Sequence, residues 1–206
     1  MPGETRRWRF ELSLLLLALL ALIVSGIDPY DRLTWWLEVA PVIIVIPILW
    51  FTRRFFPLTP LLYGLIFVHA LILMLGGHYT YARVPLGFWA QDLFDLSRNH
   101  YDRVGHVAQG FVPAMAAREI LLRCTPLSPG KMLFFLVSCV ALAISAFYEF
   151  IEWWAAVLLG GSAEEFLALQ GDIWDTQWDM FMALSGAVTA QLLLGGWHNR
   201  QLSQLR

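Results

Sequence analysis

Charge is scarce in this sequence. Of 206 residues 15% are charged and 58% are hydrophobic, with a mean hydropathy of +0.60. A soluble domain carries about 25% charged residues, so this chain cannot cover a water-facing surface. Basic excess is missing as well: the formal net charge of −2 leaves no basic face for a nucleic-acid partner. Two cysteines, Cys124 and Cys139, are too few for a disulfide framework. No internal repeat, low-complexity stretch or linker divides the chain, which reads as a single integral membrane domain over residues 1–206. HExxH, CxxC, a Gly-rich phosphate loop, a serine-nucleophile motif and a haem attachment site are all absent, and with them the common routes from motif to reaction.

What the chain does have is long apolar runs bounded by charge. A membrane helix consumes about 20 residues, and six runs meet that need: 10–27, 35–51, 58–75, 104–122, 132–159 and 178–197. Each is too long and too continuous for the alternation of a lipid-facing strand. The expected fold is therefore all-α, a polytopic bundle of six transmembrane helices. Pro41, Pro47 and Pro113 fall inside runs and predict kinks. The first run follows three arginines like a signal peptide, but it outlasts a usual signal core and is read as a retained helix. With the N-terminus in the cytoplasm, ten Lys/Arg residues fall in inner segments and four in outer ones (Arg32, Arg83, Arg98 and Arg103). That bias puts both termini inside. Trp35, Trp36, Trp89, Trp153, Trp154, Trp174 and Trp178 then gather at outer ends as an aromatic belt. Between the third and fourth runs, Leu86, Trp89, Leu93 and Leu96 recur at helical spacing, which predicts a short interfacial helix.

Ionisable groups within or beside a span are costly, so their placement is informative. Asp102 and His106 lie four apart on one helix face, continued by Gln109 and Gly110. Ser138, Ser145, Glu149 and Glu152 form one polar stripe on the fifth span, and Asp172, Asp175 and Asp179 form another leading to Gly186. At 1.5 Å per residue, His106, Glu149 and Asp179 each rise about 25–27 Å from the inner side. Three helices thus present an acid or imidazole at one level near the outer surface. The preceding loop adds His78, Arg83, Arg98 and His100 to that side. His69, in mid-span, is read as a neutral histidine hydrogen-bonded to another helix. Glu38, on the outer half of the second span, could join this cluster, but Thr34 and Arg32 offer it local partners.

Several of these residues stand in runs that resemble one family. His78-Tyr79-Thr80-Tyr81, the run from Asn99 to His106, Tyr148-Glu149-Phe150-Ile151-Glu152-Trp153 and the run from Gly171 to Met180 resemble, in order, the bacterial YjdF family. The resemblance covers the chain from about Leu58 onward and implies a small multi-pass protein of the inner membrane. A looser similarity is to VanZ-like proteins, whose Asp-Lys-x-x-His, Glu-x-x-Gln and Asp-Asn-Gly pattern is matched by Asp102, His106, Glu149, Asp179 and Gly186. Arg103, Glu152 and Ala183 depart from it. Neither resemblance supplies a reaction.

Three functional readings follow. In the first, the protein is an enzyme acting on a lipid or lipid-linked envelope substrate at the outer leaflet. Glu149 or Asp179 would be its general base, His106 a ligand or proton shuttle, and Asp102 the residue that orients His106. A divalent metal would draw its ligands from His78, His100, His106, Glu149, Glu152, Asp172, Asp175 and Asp179, a set of imidazoles and carboxylates suited to Zn, Mn, Fe, Mg or Ca; the alternative is that these groups pair with Arg83, Arg98 and Arg103 in outer-surface salt bridges that fix helix packing. In the second, the same stripe belongs to a non-enzymatic binding or transport protein that recognises a cation. In the third, Arg83, Arg98 and Arg103 capture an anionic lipid head group.

Overall fold

The computed structural model describes residues 2–159, 164–167 and 170–205. Among these the chain is all-helical, in the order α1 (Pro2–Ser25), α2 (Arg32–Thr52), α3 (Pro60–Tyr79), α4 (Pro85–Phe94), α5 (Tyr101–Cys124), α6 (Lys131–Leu159), α7 (Glu164–Leu167) and α8 (Asp175–Ser203). A single 3-10 turn, Tyr81–Arg83, follows α3. The six long helices coincide with the six expected spans, and α4 supplies the expected short helix, with Leu86, Trp89 and Leu93 exposed along one side. Five of the long helices are apolar and long enough to cross a membrane; α5, 24 residues long, is the sixth. It is less apolar because the bundle encloses it: His106, Arg118 and Glu119 are all buried on its inward faces.

Local chemistry sets the helix starts. Asp31 caps α2 by accepting a hydrogen bond from Thr34 N at 2.7 Å. Thr59 caps α3 in the same way, with Pro60 at the first helical position where a missing N–H costs nothing. Some boundaries differ from the expected ones. The third span extends to Tyr79, through Gly76 and Gly77, which looked like the start of a loop. Those glycines stay helical because neighbours fill the space: a Cβ on Gly76 would stand 2.3 Å from the Tyr81 ring, and one on Gly77 3.1 Å from Glu38 Cβ. His78 and Tyr79 are thereby helical instead of loop residues.

α5 is the hub. It packs most extensively along α8, then on α6 and α3, while α1 and α2 lean on α3. Small residues make the α5–α8 approach possible, as expected where lipid supplies no hydrophobic drive. A Cβ on Gly110 would lie 1.7 Å from Ala183 O, and one on Gly186 2.2 Å from Val107 O. The two glycines on the polar stripes are therefore where two helix backbones touch. Below, the end holding the start of α5 is called upper.

The lower end is tied by a buried polar knot that the sequence reading did not find. Glu119 and His198 are fully buried. Glu119 accepts from Thr59 Oγ1 (2.8 Å) and Arg123 (2.9 Å), and lies 2.9 Å from His198 Nε2. Arg118 donates to His198 Nδ1 (2.8 Å) and Asn199 Oδ1 (2.7 Å). Because Nδ1 accepts, His198 carries its proton on Nε2 and donates it to Glu119. The knot fastens α3, α5 and α8.

Candidate functional site

Four helices bring acids to one level at the upper end. α2 contributes Glu38, α5 contributes Asp102, α6 contributes Glu149 and Glu152, and α8 contributes Asp175 and Asp179. His106, one turn below Asp102, sits among them. Its Nε2 lies 3.4 Å from Asp102 Oδ1 and 3.6 Å from Asp179 Oδ1. Its Nδ1 lies 3.0 Å from Gln109 Oε1 and 4.0 Å from Glu149 Oε1. When Nδ1–H donates to Gln109, the Nε2 lone pair faces two carboxylates. That arrangement calls for a proton between them, on the ring or on one of the carboxyls, or for a metal ion.

The two arginines are engaged by the aspartates. Arg103 pairs with Asp179 through Nη1, and through Nη2 with Asp175 Oδ1 at 2.6 Å and Asp172 Oδ2 at 3.2 Å. Arg98 reaches the same Asp175 (2.8 Å) and Asp172 (3.1 Å). Asp172 precedes α8 and also accepts from Trp174 N at 2.9 Å, so it closes the turn into that helix. Even so, the acids outnumber their partners: Glu38, Asp102, Glu149, Glu152, Asp172, Asp175 and Asp179 face Arg98, Arg103 and His106.

The excess is concentrated on the His106 side. Glu149 Oε1 is buried with no hydrogen-bond partner among the described residues, and so is Ser145 Oγ one turn beneath it. Native structures rarely leave such atoms unsatisfied without an ion, a water or a task. Two ligand sets share His106: Asp102, His106 and Asp179, and His106, Glu149 and Glu152. In each, one donor atom per residue lies within 4.8 Å of the others. Imidazole and carboxylate donors at this spacing can close on one divalent ion.

The other expected ligands stand apart. His78 Nδ1 lies 2.9 Å from Ser25 O, and its ring packs edge-on against Tyr79. His100 caps α5; partial burial, with Arg98 and Arg103 nearby, pushes its pKa below the usual histidine value. Arg83 stacks over the Tyr30 ring at 4.3 Å. His69 is expected to hydrogen-bond to another helix; its Nε2 is buried without a partner among the described residues.

Glu38 joins the cluster instead of pairing with its local candidates. Thr34 N is taken by Asp31, and Glu38 is buried facing α6, where Tyr148 donates to its Oε2 at 3.4 Å. Tyr81 is a further site residue that periodicity could not reveal. Its ring wedges between α3 and α5 against Gly76 and Gly105, and burial together with nearby Glu38 keeps its hydroxyl protonated. The glycines at both positions were the available signal.

The fold and the buried acids on its helices define a multi-pass α-helical membrane protein with a polar centre at one end of the bundle. The chain belongs to the family described as predicted membrane protein (DUF2238), which matches residues 10–200. It is 60% identical over 183 residues to the inner membrane protein YjdF of Escherichia coli (strain K12), a match covering 89% of this chain and 88% of that protein. No solved structure matches it.

Proposed function

We propose that the upper cluster holds a divalent cation and acts on the head of a lipid or lipid-linked envelope substrate, in the outer leaflet, with both chain termini in the cytoplasm. The observation that carries this reading is Glu149 Oε1, a buried carboxylate oxygen without a partner, 4.0 Å from a histidine already flanked by two aspartates. Buried acids in such excess call for a cation. Asp102, His106 and Asp179 are suited to hold it, with Gln109 fixing the His106 ring through Nδ1.

Of the two acids first considered as base, Glu149 suits the role better. Asp179 is committed to Arg103, whereas Glu149 Oε1 is unpartnered. Glu149 would take the proton of an attacking water or hydroxyl while the cation polarises the substrate. Arg98 and Arg103 then serve as anchors that hold Asp172, Asp175 and Asp179 in place. Metal analysis of detergent-purified protein tests the reading. The wild type should carry metal in stoichiometric amount, and Glu149→Gln and Asp179→Asn should lose it. Metal-free wild-type protein, purified without chelator, would overturn it.

A further inference from the structure

Below the upper cluster a cavity of about 860 Å³ extends between α2 and α5, walled also by α1, α3 and α6. Its upper end is polar, formed by Glu38, Asp102, His106, Tyr148 and Glu152, and most of the remaining wall is apolar. Pockets of roughly 300–1,000 Å³ hold a ligand of several hundred daltons. Neither the size nor the apolar wall selects an occupant. The polar groups along the wall do.

Two acids at the upper end stand outside the set suited to the metal ion, which is Asp102, His106 and Asp179 with Glu149 Oε1 beside it. Glu38 is buried against Tyr148, whose hydroxyl donates to it at 3.4 Å. Neither Glu38 nor Glu152 has a cationic side chain within ion-pair distance among the described residues. Arg98, Arg103 and one divalent ion fall short of the seven acids of the cluster. Unpaired buried carboxylates are costly, and Glu38 and Glu152 face the cavity. A positive charge carried by the occupant meets the shortfall where it lies.

The second observation is independent of that balance. His69, at mid-depth on α3, lines the same cavity, and its Nε2 is buried without a partner among the described residues. Such an atom calls for a hydrogen-bonding group in the occupant, and a plain hydrocarbon tail has none. Gly77, which packs against Glu38, stands eight residues above His69 on α3, a rise of about 12 Å. The occupant therefore carries a cation at its upper end and a hydrogen-bonding group well below it. In a diacyl phospholipid with an amine-terminated head, about ten bonds part the nitrogen from an ester carbonyl oxygen, and at about 1.1–1.2 Å per bond of extended chain the molecule reaches both groups.

We infer that the cavity binds a phospholipid whose head group ends in a primary ammonium. Glu38 and Glu152 take the ammonium, and His69 donates from Nε2 to an ester carbonyl. The inference rests on the proposed reading of the upper cluster, whose divalent ion then meets the phosphate. The acyl chains lie along the apolar lower wall, which includes Val45, Ile66 and Ala116. A head ending in glycerol would bring the charge of its phosphate with no ammonium to offset it, against acids already short of cations.

Native mass spectrometry tests this on the full chain, delipidated in detergent. It is offered equal amounts of phosphatidylethanolamine, phosphatidylcholine and phosphatidylglycerol with the same acyl chains. The ethanolamine lipid should be retained about tenfold over the glycerol lipid, the worth of one charge-assisted hydrogen bond. The choline lipid, whose ammonium has no hydrogen to donate, should fall well below the ethanolamine lipid. Glu38→Gln and Glu152→Gln should each narrow the preference, and together abolish it. His69→Leu should weaken retention of the ethanolamine lipid about fivefold, yet leave its diether analogue, which has no ester carbonyl, unchanged. Equal retention of the ethanolamine and glycerol lipids by the wild type would overturn the inference, whatever the variants do. So would a preference that survives the double substitution, or an equal fall for ester and diether lipids in His69→Leu. A stoichiometric metal without lipid preference removes this inference alone; a preference for the ethanolamine lipid in a metal-free protein removes the cation reading and leaves the lipid site.

Discussion

Arg103 faces four aspartates, Asp102, Asp172, Asp175 and Asp179, with one guanidinium, and its removal should be the severest single change at the site. Arg103→Ala would leave buried Asp175 and Asp179 short of positive charge. Breaking a buried pair from one side costs about 3–5 kcal/mol, to be read as a large fall in Tm by thermal unfolding in detergent. Glu149→Gln should behave in the opposite way. It removes one charge from a crowded set of acids and keeps the side-chain shape, so with both proteins stripped of metal Tm should hold or rise, while the stabilisation that added metal gives the wild type is lost. A fall in Tm comparable to that of Arg103→Ala would mark Glu149 as structural. His106, Glu149 and Asp179 were legible in the sequence because helical spacing fixes both face and depth. Glu38 was legible only as a candidate, since its partner Tyr148 lies on a helix 110 residues away. Salt bridges from Arg98 and Arg103 to the acids were legible as one reading of the charges, but which aspartates they take, Asp172, Asp175 and Asp179, depends on how α8 is docked.

The elements were legible wherever apolar length decided them, and less so where packing did. Five of the six long helices are apolar enough to follow from hydropathy alone, but the last turn of α3 passes through Gly76 and Gly77, where Tyr81 and Glu38 occupy the space a Cβ would need. α5 is the clearest example of packing over composition: its central place allows buried charge that a lipid-facing helix could not carry. Two predictions belong here. Gly110→Ala should force α5 away from Ala183, an overpacking that costs about 1–3 kcal/mol, seen as a lowered Tm with the metal site disturbed in the same protein. Glu119→Ala should leave Thr59, Arg123 and His198 without their carboxylate at the lower end and lower stability by about 3–5 kcal/mol, yet leave metal content in the surviving folded fraction unchanged. Loss of metal in Glu119→Ala would show the two ends to be coupled, against the present account.

For the whole molecule, orientation and the nature of the upper site are the remaining questions, and one cysteine addresses the first. Cys124 is exposed at the lower end of α5. With that end in the cytoplasm, a membrane-impermeant maleimide should label it in inverted vesicles and not in intact spheroplasts; the reverse pattern would invert the topology and place the acids on the inner side. The upper site is tested most directly by X-ray absorption at the metal edge, on purified protein loaded with zinc or manganese. The expected first shell is nitrogen and oxygen at about 2.0–2.2 Å, with an imidazole scattering contribution that disappears in His106→Ala and only the hydrated ion left in Glu149→Gln. A wild-type spectrum of the hydrated ion alone, or one indifferent to both substitutions, would contradict it.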